Sequence, residues 1–410
     1  MTSLDTIVAV ELGTCKICVL VAEADESEGL KVIGVGQSPS HGIRKGEVTD
    51  PTMAINDLEQ ALHDAEESSG FDITRAYLGI TGSHIRGTTN RGLHPIRNRE
   101  KGVTNRDIEI VMKNARSFEL DENYNRLHSI QQNFRVDDIE NIKNPLGYRG
   151  SNLTVEMHLI EGAYNRIENS IQIVRENNVD VQEVAFNGLA TALACLGNRE
   201  KEHGALVIDI GAGSTDFLLY SGGRVRHSGV IPVGGDHVTN DIAIGLNVSI
   251  RAAEDLKMNH GSAIVMPDAR SRHVSLSSGI ERMTREFSLY SLQTIMNLRL
   301  TEIFELIYAD LDKKKLTHHC QSGVFLSGGT SKTPQVEYLA ERVFNARTSR
   351  ASARAIGSLH ERLDQPEFMT ALGLLKFGSF QARTSRRPLA GLPITMGFQS
   401  LFRRDVANNN

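Results

Sequence analysis

Ile7-Val-Ala-Val-Glu-Leu-Gly-Thr-Cys-Lys-Ile-Cys-Val-Leu-Val21 is answered far downstream by Leu206-Val-Ile-Asp-Ile-Gly-Ala-Gly-Ser-Thr-Asp-Phe-Leu-Leu-Tyr220. In each copy an apolar run ends at an acidic residue, a glycine and hydroxyl turn follows, and a second apolar run closes the unit. Glu11 matches Asp209, and Gly13 matches Gly211. Strand-like runs joined by a tight glycine turn read as a β-hairpin. One such hairpin would be an ordinary turn. Two copies imply two similar halves that face each other.

The turn chemistry suits an anion. Glycines let the amides of a turn converge on one point, and Thr14, Ser214 and Thr215 add hydroxyl donors, so two facing turns would clamp a phosphate chain from both sides. The carboxylates of Glu11 and Asp209 stand at strand ends. They would face a metal ion, since like charges need a cation between them and the phosphates. A third glycine segment, Gly323-Val-Phe-Leu-Ser-Gly-Gly-Thr-Ser-Lys-Thr-Pro334, ends an apolar strand at Gly328-Gly329 and leads into a helix with Val336, Leu339, Ala340 and Val343 on its apolar face. Pro334 suits the first turn of that helix, whose free amides favour a phosphate or ribose oxygen.

Composition bounds the class. A chain of 410 residues, 40% apolar and 23% charged, is long enough for two or more globular domains. A net charge of -5 and a pI near 6.3 argue against a broad footprint for nucleic acid. No run approaches the roughly 18 apolar residues of a spanning helix, and Met1 to Val10 lacks the pattern of a signal peptide, which reads as a cytoplasmic protein. Four cysteines are too few for a disulfide framework. Cys15 and Cys18 form a CxxC pair inside an expected strand, Thr14 to Ala22, where odd spacing sends them to opposite faces. No second pair completes a zinc site, so they read as packing residues.

Phosphate loop one at Glu11 to Lys16, phosphate loop two at Asp209 to Asp216 and an adenosine loop at Gly328 to Thr330 together resemble the actin, Hsp70 and sugar-kinase superfamily. The resemblance implies an α/β, actin-like fold: two similar mixed-sheet halves around a cleft that binds ATP with Mg2+. It also implies two connector helices, Asn187-Gly-Leu-Ala-Thr-Ala-Leu-Ala194 and Met369-Thr-Ala-Leu-Gly-Leu-Leu375, whose small residues let the halves cross closely. The nucleotide is assigned to Gly13, Thr14, Cys15 and Lys16, to Gly211, Gly213, Ser214 and Thr215, to Gly234 and Gly235, and to Gly328, Gly329 and Thr330. Glu254 and Lys257 of Ala253-Glu-Asp-Leu-Lys257 would contact adenosine. Glu11 and Asp209 would hold the metal, and with Asn187 they are the candidate catalytic residues. Relatives carry Glu or Gln at the position of Asn187 to orient the attacking water. An asparagine can hydrogen-bond but cannot act as a base, so slow hydrolysis is expected. Glu11 stands where Asp is usual, one methylene longer.

Within that superfamily, Gly42-Ile-Arg-Lys-Gly-Glu-Val-Thr-Asp50, Gly79-Ile-Thr-Gly-Ser-His84, Asn144-Pro-Leu-Gly-Tyr-Arg-Gly150 with His158 beyond, and the run up to Gly222-Gly223 resemble the FtsA family of bacterial cell-division proteins. The likeness covers most of residues 5 to 380. It implies a first half at 1–85 and 163–198, an inserted subdomain at 86–162 that serves contacts between subunits, and a second half at 199–252 and 318–380. Residues 253–317 would form the subdomain with the adenine side and a partner surface. A bland loop insertion would also explain 86–162. The implied function is an ATP-binding, self-assembling protein that anchors the FtsZ ring to the cytoplasmic face of the cell membrane and recruits other division proteins.

Two surfaces carry the implied partners. Thr301-Glu-Ile-Phe-Glu-Leu-Ile307, preceded by Arg282, Arg285 and Arg299, matches the region that receives the acidic-apolar FtsZ tail, with Asn297-Leu298-Arg299 where Glu-Pro-Arg is usual. A solvated charged face is the alternative. After Phe380, residues 381–391 read as a linker rich in Arg and small residues. In the tail at 392–410, steps of 100° put Ile394, Phe398, Leu401 and Phe402 on one face and Gln399, Ser400, Arg403 and Arg404 on the other. That is the profile of an interfacial helix on anionic lipid. A helix docked on the protein's own core or on a partner has the same period. A kinase or phosphatase of the superfamily, or a pilus-assembly ATP-binding adaptor, remains the alternative function.

Overall fold

The computed structural model describes residues 5–25, 29–97, 100–117, 121–277, 284–354 and 361–386. The first half opens with a meander, β1 (Asp5–Leu12), β2 (Lys16–Asp25) and β3 (Gly29–Pro39). A small hairpin follows, β4 (Ile43–Arg44) and β5 (Glu47–Val48), then α1 (Pro51–Ser69) and β6 (Arg75–Ile80). Helix α1 starts on an Asp50 cap that accepts from Met53 N–H, has Pro51 in its first turn, and ends at Gly70 with φ of 67°.

The chain then builds a separate sheet from β7 (Arg86–Pro95), β8 (Tyr124–Val136), β9 (Ile139–Ile142) and β10 (Asn152–Ala163), with α2 (Asn105–Arg116) between β7 and β8. A Thr104/Asp107 capping box starts α2. Val111, Met112 and Ala115 of α2 pack on Phe134, Val155, Met157 and Leu159, so this insertion has a core of its own. It returns to the first half through α3 (Tyr164–Glu176), β11 (Asp180–Phe186), α4 (Asn187–Cys195) and α5 (Asn198–His203).

The second half repeats the plan. Its meander is β12 (Ala205–Ile210), β13 (Thr215–Ser221) and β14 (Arg224–Ile231), followed by α6 (Gly235–Leu246) and α7 (Ile250–His260). A two-stranded ribbon, β15 (His273–Ser277) and β16 (Thr284–Ser288), precedes the long α8 (Leu289–Lys313). Strand β17 (Val324–Ser327), α9 (Val336–Phe344), β18 (Thr348–Arg350) and α10 (Met369–Arg386) complete it. The strand order is β3-β2-β1-β6-β11 in one half and β14-β13-β12-β17-β18 in the other. In both, the meander is antiparallel and the two following strands add in parallel.

Both faces of the second sheet are covered, which is why its hairpin strands carry apolar residues on both faces. In the second sheet the pleat divides the residues cleanly. Leu206, Ile208, Ile210, Phe217 and Leu219 point to a core with α6, α8 and α9, while Ala205, Val207, Leu218 and Tyr220 join the core of the first half. Helices α4 and α10 lie in that shared core. They cross so closely that a Cβ on Gly373 would stand 1.7 Å from the Ala190 carbonyl oxygen, which explains the small residues of both connectors.

Three local expectations change. Strand β2 begins at Lys16, so Cys15 sits exposed in the turn and Cys18 alone is a buried strand residue. Helix α9 begins two residues after Pro334, behind a left-handed Gln335, and Gly329–Lys332 form a 3-10 turn instead. Helix α10 runs to Arg386, so Gln381–Arg386 are helical and not linker. The helix goes on because the chain offers no Gly or Pro between Gly378 and Pro388 and because Gln381 is buried. The tail residues Ile394, Phe398, Leu401, Phe402, Arg403 and Arg404 lie outside the described residues, as does Arg282. Among the described residues, no helix is long and apolar enough to cross a membrane.

Candidate functional site

The two hairpin turns are closed alike. Gly13 N–H donates to the Lys16 carbonyl at 3.1 Å, and Gly211 N–H donates to the Ser214 carbonyl at 3.0 Å. Their tips meet across the gap between the halves: a Cβ on Gly213 would stand 2.6 Å from Thr14 Oγ1 and 2.7 Å from the Lys45 amide nitrogen. Loop two gathers the other glycine segments around itself. Gly235 and Asp236 donate their N–H groups to the carbonyls of Gly211 and Ala212, at 2.9 and 2.8 Å. Gly234 packs so tightly there that a Cβ would lie 2.5 Å from the Gly211 carbonyl oxygen. Thr330 Oγ1 donates to the same Gly211 carbonyl at 3.1 Å. Gly328 has φ of 83°, and a Cβ would clash with Asp209 Oδ1 at 2.5 Å, so both backbone and space demand glycine. Gly329, by contrast, opens on empty space.

The floor of this gap is acidic. Asp209 Oδ2 accepts from Thr191 Oγ1 at 2.8 Å and from Thr370 Oγ1 at 2.6 Å. One hydroxyl comes from α4 and the other from α10, so both connector helices hold one carboxylate oxygen. Asp216 pairs directly with Asp209 across the β12–β13 ladder and accepts from Thr81 Oγ1 at 2.5 Å. Burial pushes both aspartates up, Asp216 well above the usual range, with the Asp209 charge adding to its rise. Glu11 receives the Ala371 N–H, and burial with the Asp209 charge lifts it to about 7 against the pull of Lys16. Its Oε2 is buried without a hydrogen-bond partner. Asn187 Oδ1 is likewise buried and unpartnered. It lies against Gly79, where a Cβ would stand 2.4 Å away, and Gly79 is the parallel neighbour of Glu11. Lys16 Nζ sits 4.0 Å over the Phe368 ring, its charge felt by Glu11 and Asp209.

Glu254 and Lys257 on α7 pair at 2.6 Å, and both bond Thr239 Oγ1 of α6, at 2.5 and 2.8 Å. Cys15 lies within the fields of Asp236, Glu254 and Lys257. The structure therefore brings all the expected nucleotide and acidic residues to one gap between the halves. Two hydroxyls point elsewhere than expected: Thr215 Oγ1 donates to the Val233 carbonyl and Thr330 Oγ1 to Gly211. Sequence reasoning missed Thr191, Thr370 and Asp216. The one threonine in each connector segment, otherwise made of apolar and small residues apart from Asn187, was the available signal.

The partner arginines stand apart from the gap, Arg299 on α8 and Arg285 on β16, both reaching α6 or its C-terminal end. Arg299 makes a two-pronged contact with Asp241 at 2.5 and 3.0 Å and pairs with Glu302. Arg285 donates to the carbonyls of Asn247 and Leu246 at the end of α6. Ile303, Phe304 and Ile307 are core residues, so of the apolar side chains of Thr301–Ile307 Leu306 alone is exposed. The exposed apolar side chains beside the arginines are Ile244 and Leu298.

Residues 206–373 match the family described as cell division protein FtsA, and residues 82–161 match the SHS2 domain inserted in FTSA. The chain is 34% identical to the cell division protein FtsA of Borreliella burgdorferi over 94% of this chain and 93% of that one. For the Pseudomonas aeruginosa protein of the same name the identity is 32%, over 91% and 89%, and for that of Escherichia coli K12 it is 32%, over 91% and 90%. Among solved structures, the PilM-PilN type IV pilus biogenesis complex aligns with a TM-score of 0.65 at 15% identity, over 92% of this chain and 99% of that one. MreB 5 of Spiroplasma citri bound to AMPPNP aligns with a TM-score of 0.56 at 15% identity, over 94% and 100%. At these identities the two structures speak for the actin-like fold alone.

Proposed function

The chain belongs to the FtsA family of cell division proteins, and from that premise we propose that it binds ATP, assembles with itself, and ties the FtsZ filament to the cytoplasmic face of the cell membrane. The observation that carries the nucleotide part is the convergence of Gly13–Lys16, Gly211–Thr215, Gly234–Gly235 and Gly328–Thr330 over an acidic floor shared by both connector helices. Amides and glycine backbones at this point suit a polyphosphate. Glu254 and Lys257 would take the adenosine end.

Magnesium fits the floor. Two buried aspartates and the half-buried Glu11, all with raised proton affinity, and one unpartnered oxygen, Glu11 Oε2, suit a cation. Among the described residues no three ligands form a closed metal site, so Glu11 and Asp209 would share the ion with phosphate oxygens and water. When bound, the ion supplies charge neutralisation at the phosphates. Asn187 Oδ1 can accept a hydrogen bond from a water beside Glu11 but cannot take its proton, so turnover far below the ~10 per second of common enzymes is expected.

The domain division follows the same premise: 1–85 with 163–198, and 199–252 with 318–380, grip the nucleotide, 86–162 serves subunit contacts, and 253–317 takes the FtsZ tail. Arg285 and Arg299, beside exposed Ile244 and Leu298, suit an acidic-apolar peptide. Such a peptide would share Arg299 with Asp241 and Glu302. Ile394, Phe398, Leu401 and Phe402, flanked by Arg403 and Arg404, would anchor the array to anionic lipid. Each apolar side chain contributes roughly 1.5 to 3 kcal/mol before ordering costs, so assembly strengthens a weak single anchor through avidity.

The test is vesicle flotation with Mg-ATP of the full chain against a version ending at Ala390. Loss of flotation with the tail supports the anchor, and equal flotation rejects it. Identity above 30% to division proteins across nine-tenths of the chain favours this reading over a kinase or pilus adaptor. Phosphorylation of a small molecule by the purified chain would reverse that judgement.

A further inference from the structure

Between the halves, at the mouth of the gap, stands the small hairpin of β4 and β5 with Lys45 and Gly46 at its tip. Both tip residues have positive φ, 52° and 75°, the two-residue turn that carries a left-handed residue at each centre. This tip touches both phosphate hairpins and Thr81 beside the acidic floor. Gly46 N–H donates to Thr14 Oγ1 at 3.1 Å, on the tip of hairpin one. The Lys45 backbone abuts Gly213, on the tip of hairpin two. A Cβ on Gly46 would stand 2.6 Å from Thr81 Cγ2, next to the hydroxyl that holds Asp216.

The hairpin is braced from behind. Glu47 pairs with Arg166 of α3 and accepts from Ser83 Oγ at 2.9 Å. Its two cations are held by nothing: Arg44 and Lys45 are exposed, and among the described residues neither side chain has a hydrogen bond or ion pair. Their charges nonetheless reach the first turn of α6, where Arg44 acts on Asp236 and Lys45 on His237. A rigid turn, wedged between two phosphate loops and carrying free cations on a fixed backbone, has the chemistry of an anion sensor.

We propose that the Arg44–Glu47 hairpin is a third wall of the nucleotide site, in which Lys45 reads the terminal phosphate and so separates a nucleoside triphosphate from a diphosphate. This rests on the cleft reading given above and adds a specificity residue to it. A cation at the junction of the two tips meets the group that differs between the two nucleotides, while Glu254, Lys257 and the Gly328 loop meet the parts that they share.

The experiment is calorimetric binding of Mg-ADP and of a non-hydrolysable Mg-ATP analogue to the full chain, to Lys45→Ala and to Lys45→Arg, with folding checked by circular dichroism. Expected is a loss of tenfold or more in analogue affinity for Lys45→Ala, with ADP affinity within about twofold of the unaltered protein, and recovery of most of the preference in Lys45→Arg. Equal weakening of both nucleotides, or no change in either, overturns the proposal. If the unaltered protein binds neither nucleotide, the cleft reading itself falls, and this inference with it.

Discussion

In hairpin one the acidic residue Glu11 faces Cys18 across the ladder, and in hairpin two the matching Asp209 faces Asp216, in the same register. The environments then diverge. Asp209 is held by two threonine hydroxyls and Asp216 by a third, so hairpin two keeps its carboxylates in place before any ligand arrives. Hairpin one has a single carboxylate with an orphaned oxygen and a thiol that packs in the core. A repeated backbone unit thus serves one half as a preorganised holder and the other as an unsatisfied partner waiting for charge. The pairing with thiol or carboxylate, more than the glycine turn, separates the roles.

The strongest way to break this comparison is to copy one hairpin into the other. Cys18→Asp gives hairpin one the residue of hairpin two at the same register position. Cys18 is fully buried and has no hydroxyl donors like Thr81 around it beyond a long contact from Gln37, so the new carboxylate would be desolvated beside Glu11. A stability loss of about 3 kcal/mol or more is expected in urea unfolding. A loss below about 1 kcal/mol would mean that the two environments are equivalent.

Next in size is the removal of the preorganised acid. Asp209→Ala leaves Thr191 and Thr370 without their common acceptor and takes away a metal candidate. Mg-ATP affinity in calorimetry should fall roughly a hundredfold, or about 2.7 kcal/mol. Unchanged affinity would remove hairpin two from the site.

Hairpin one makes a prediction with a pH sign. Glu11 is raised from 4.5 to about 7, so between those values the folded chain binds more protons than the unfolded one. Stability of the nucleotide-free protein therefore falls as pH rises through that window, and the loss is complete above it. Glu11→Gln removes the effect. Compared with its effect at pH 4, the variant should gain roughly 2 to 3 kcal/mol at pH 8 by chemical unfolding. A gain that does not depend on pH would assign the effect to packing.

Much of this contrast is legible in the sequence. The acid, glycine and hydroxyl order marks both hairpins, and the small residues of Asn187–Ala194 and Met369–Leu375 announce a close crossing that Gly373 and Ala190 make. The parallel placement of β6 and β17 was not legible, because periodicity says nothing about which distant strand lies alongside. The helix at Thr301–Ile307 shows the same limit. Its period defines an apolar face, but only packing reveals that Ile303, Phe304 and Ile307 turn inward. At Gln381–Arg386 a polar composition suggested a linker, although nothing in it prevents a helix from continuing. Asp216 sat in the quoted loop unassigned, since its role depends on Thr81, which is remote in sequence.

The smallest effect tests whether the tips touch. Cys15 and Gly213 occupy matching places in the two turns. Cys15 is exposed, so Cys15→Ala should stay within about 0.5 kcal/mol, as surface changes do. Gly213 has no such room. The new methyl of Gly213→Ala would lie 2.6 Å from Thr14 Oγ1 and 2.7 Å from the Lys45 amide nitrogen. The second neighbour is backbone and cannot rotate away, so the halves must part by a few tenths of an ångström. A cost of about 1 kcal/mol is expected in the nucleotide-free protein. Mg-ATP should narrow the gap between this variant and Cys15→Ala if bound phosphate holds the tips slightly apart, and widen it if binding draws them together. Equal stability of the two variants without nucleotide would show that the tips are already separate in solution, and the contact between the halves would then belong to the connector helices alone.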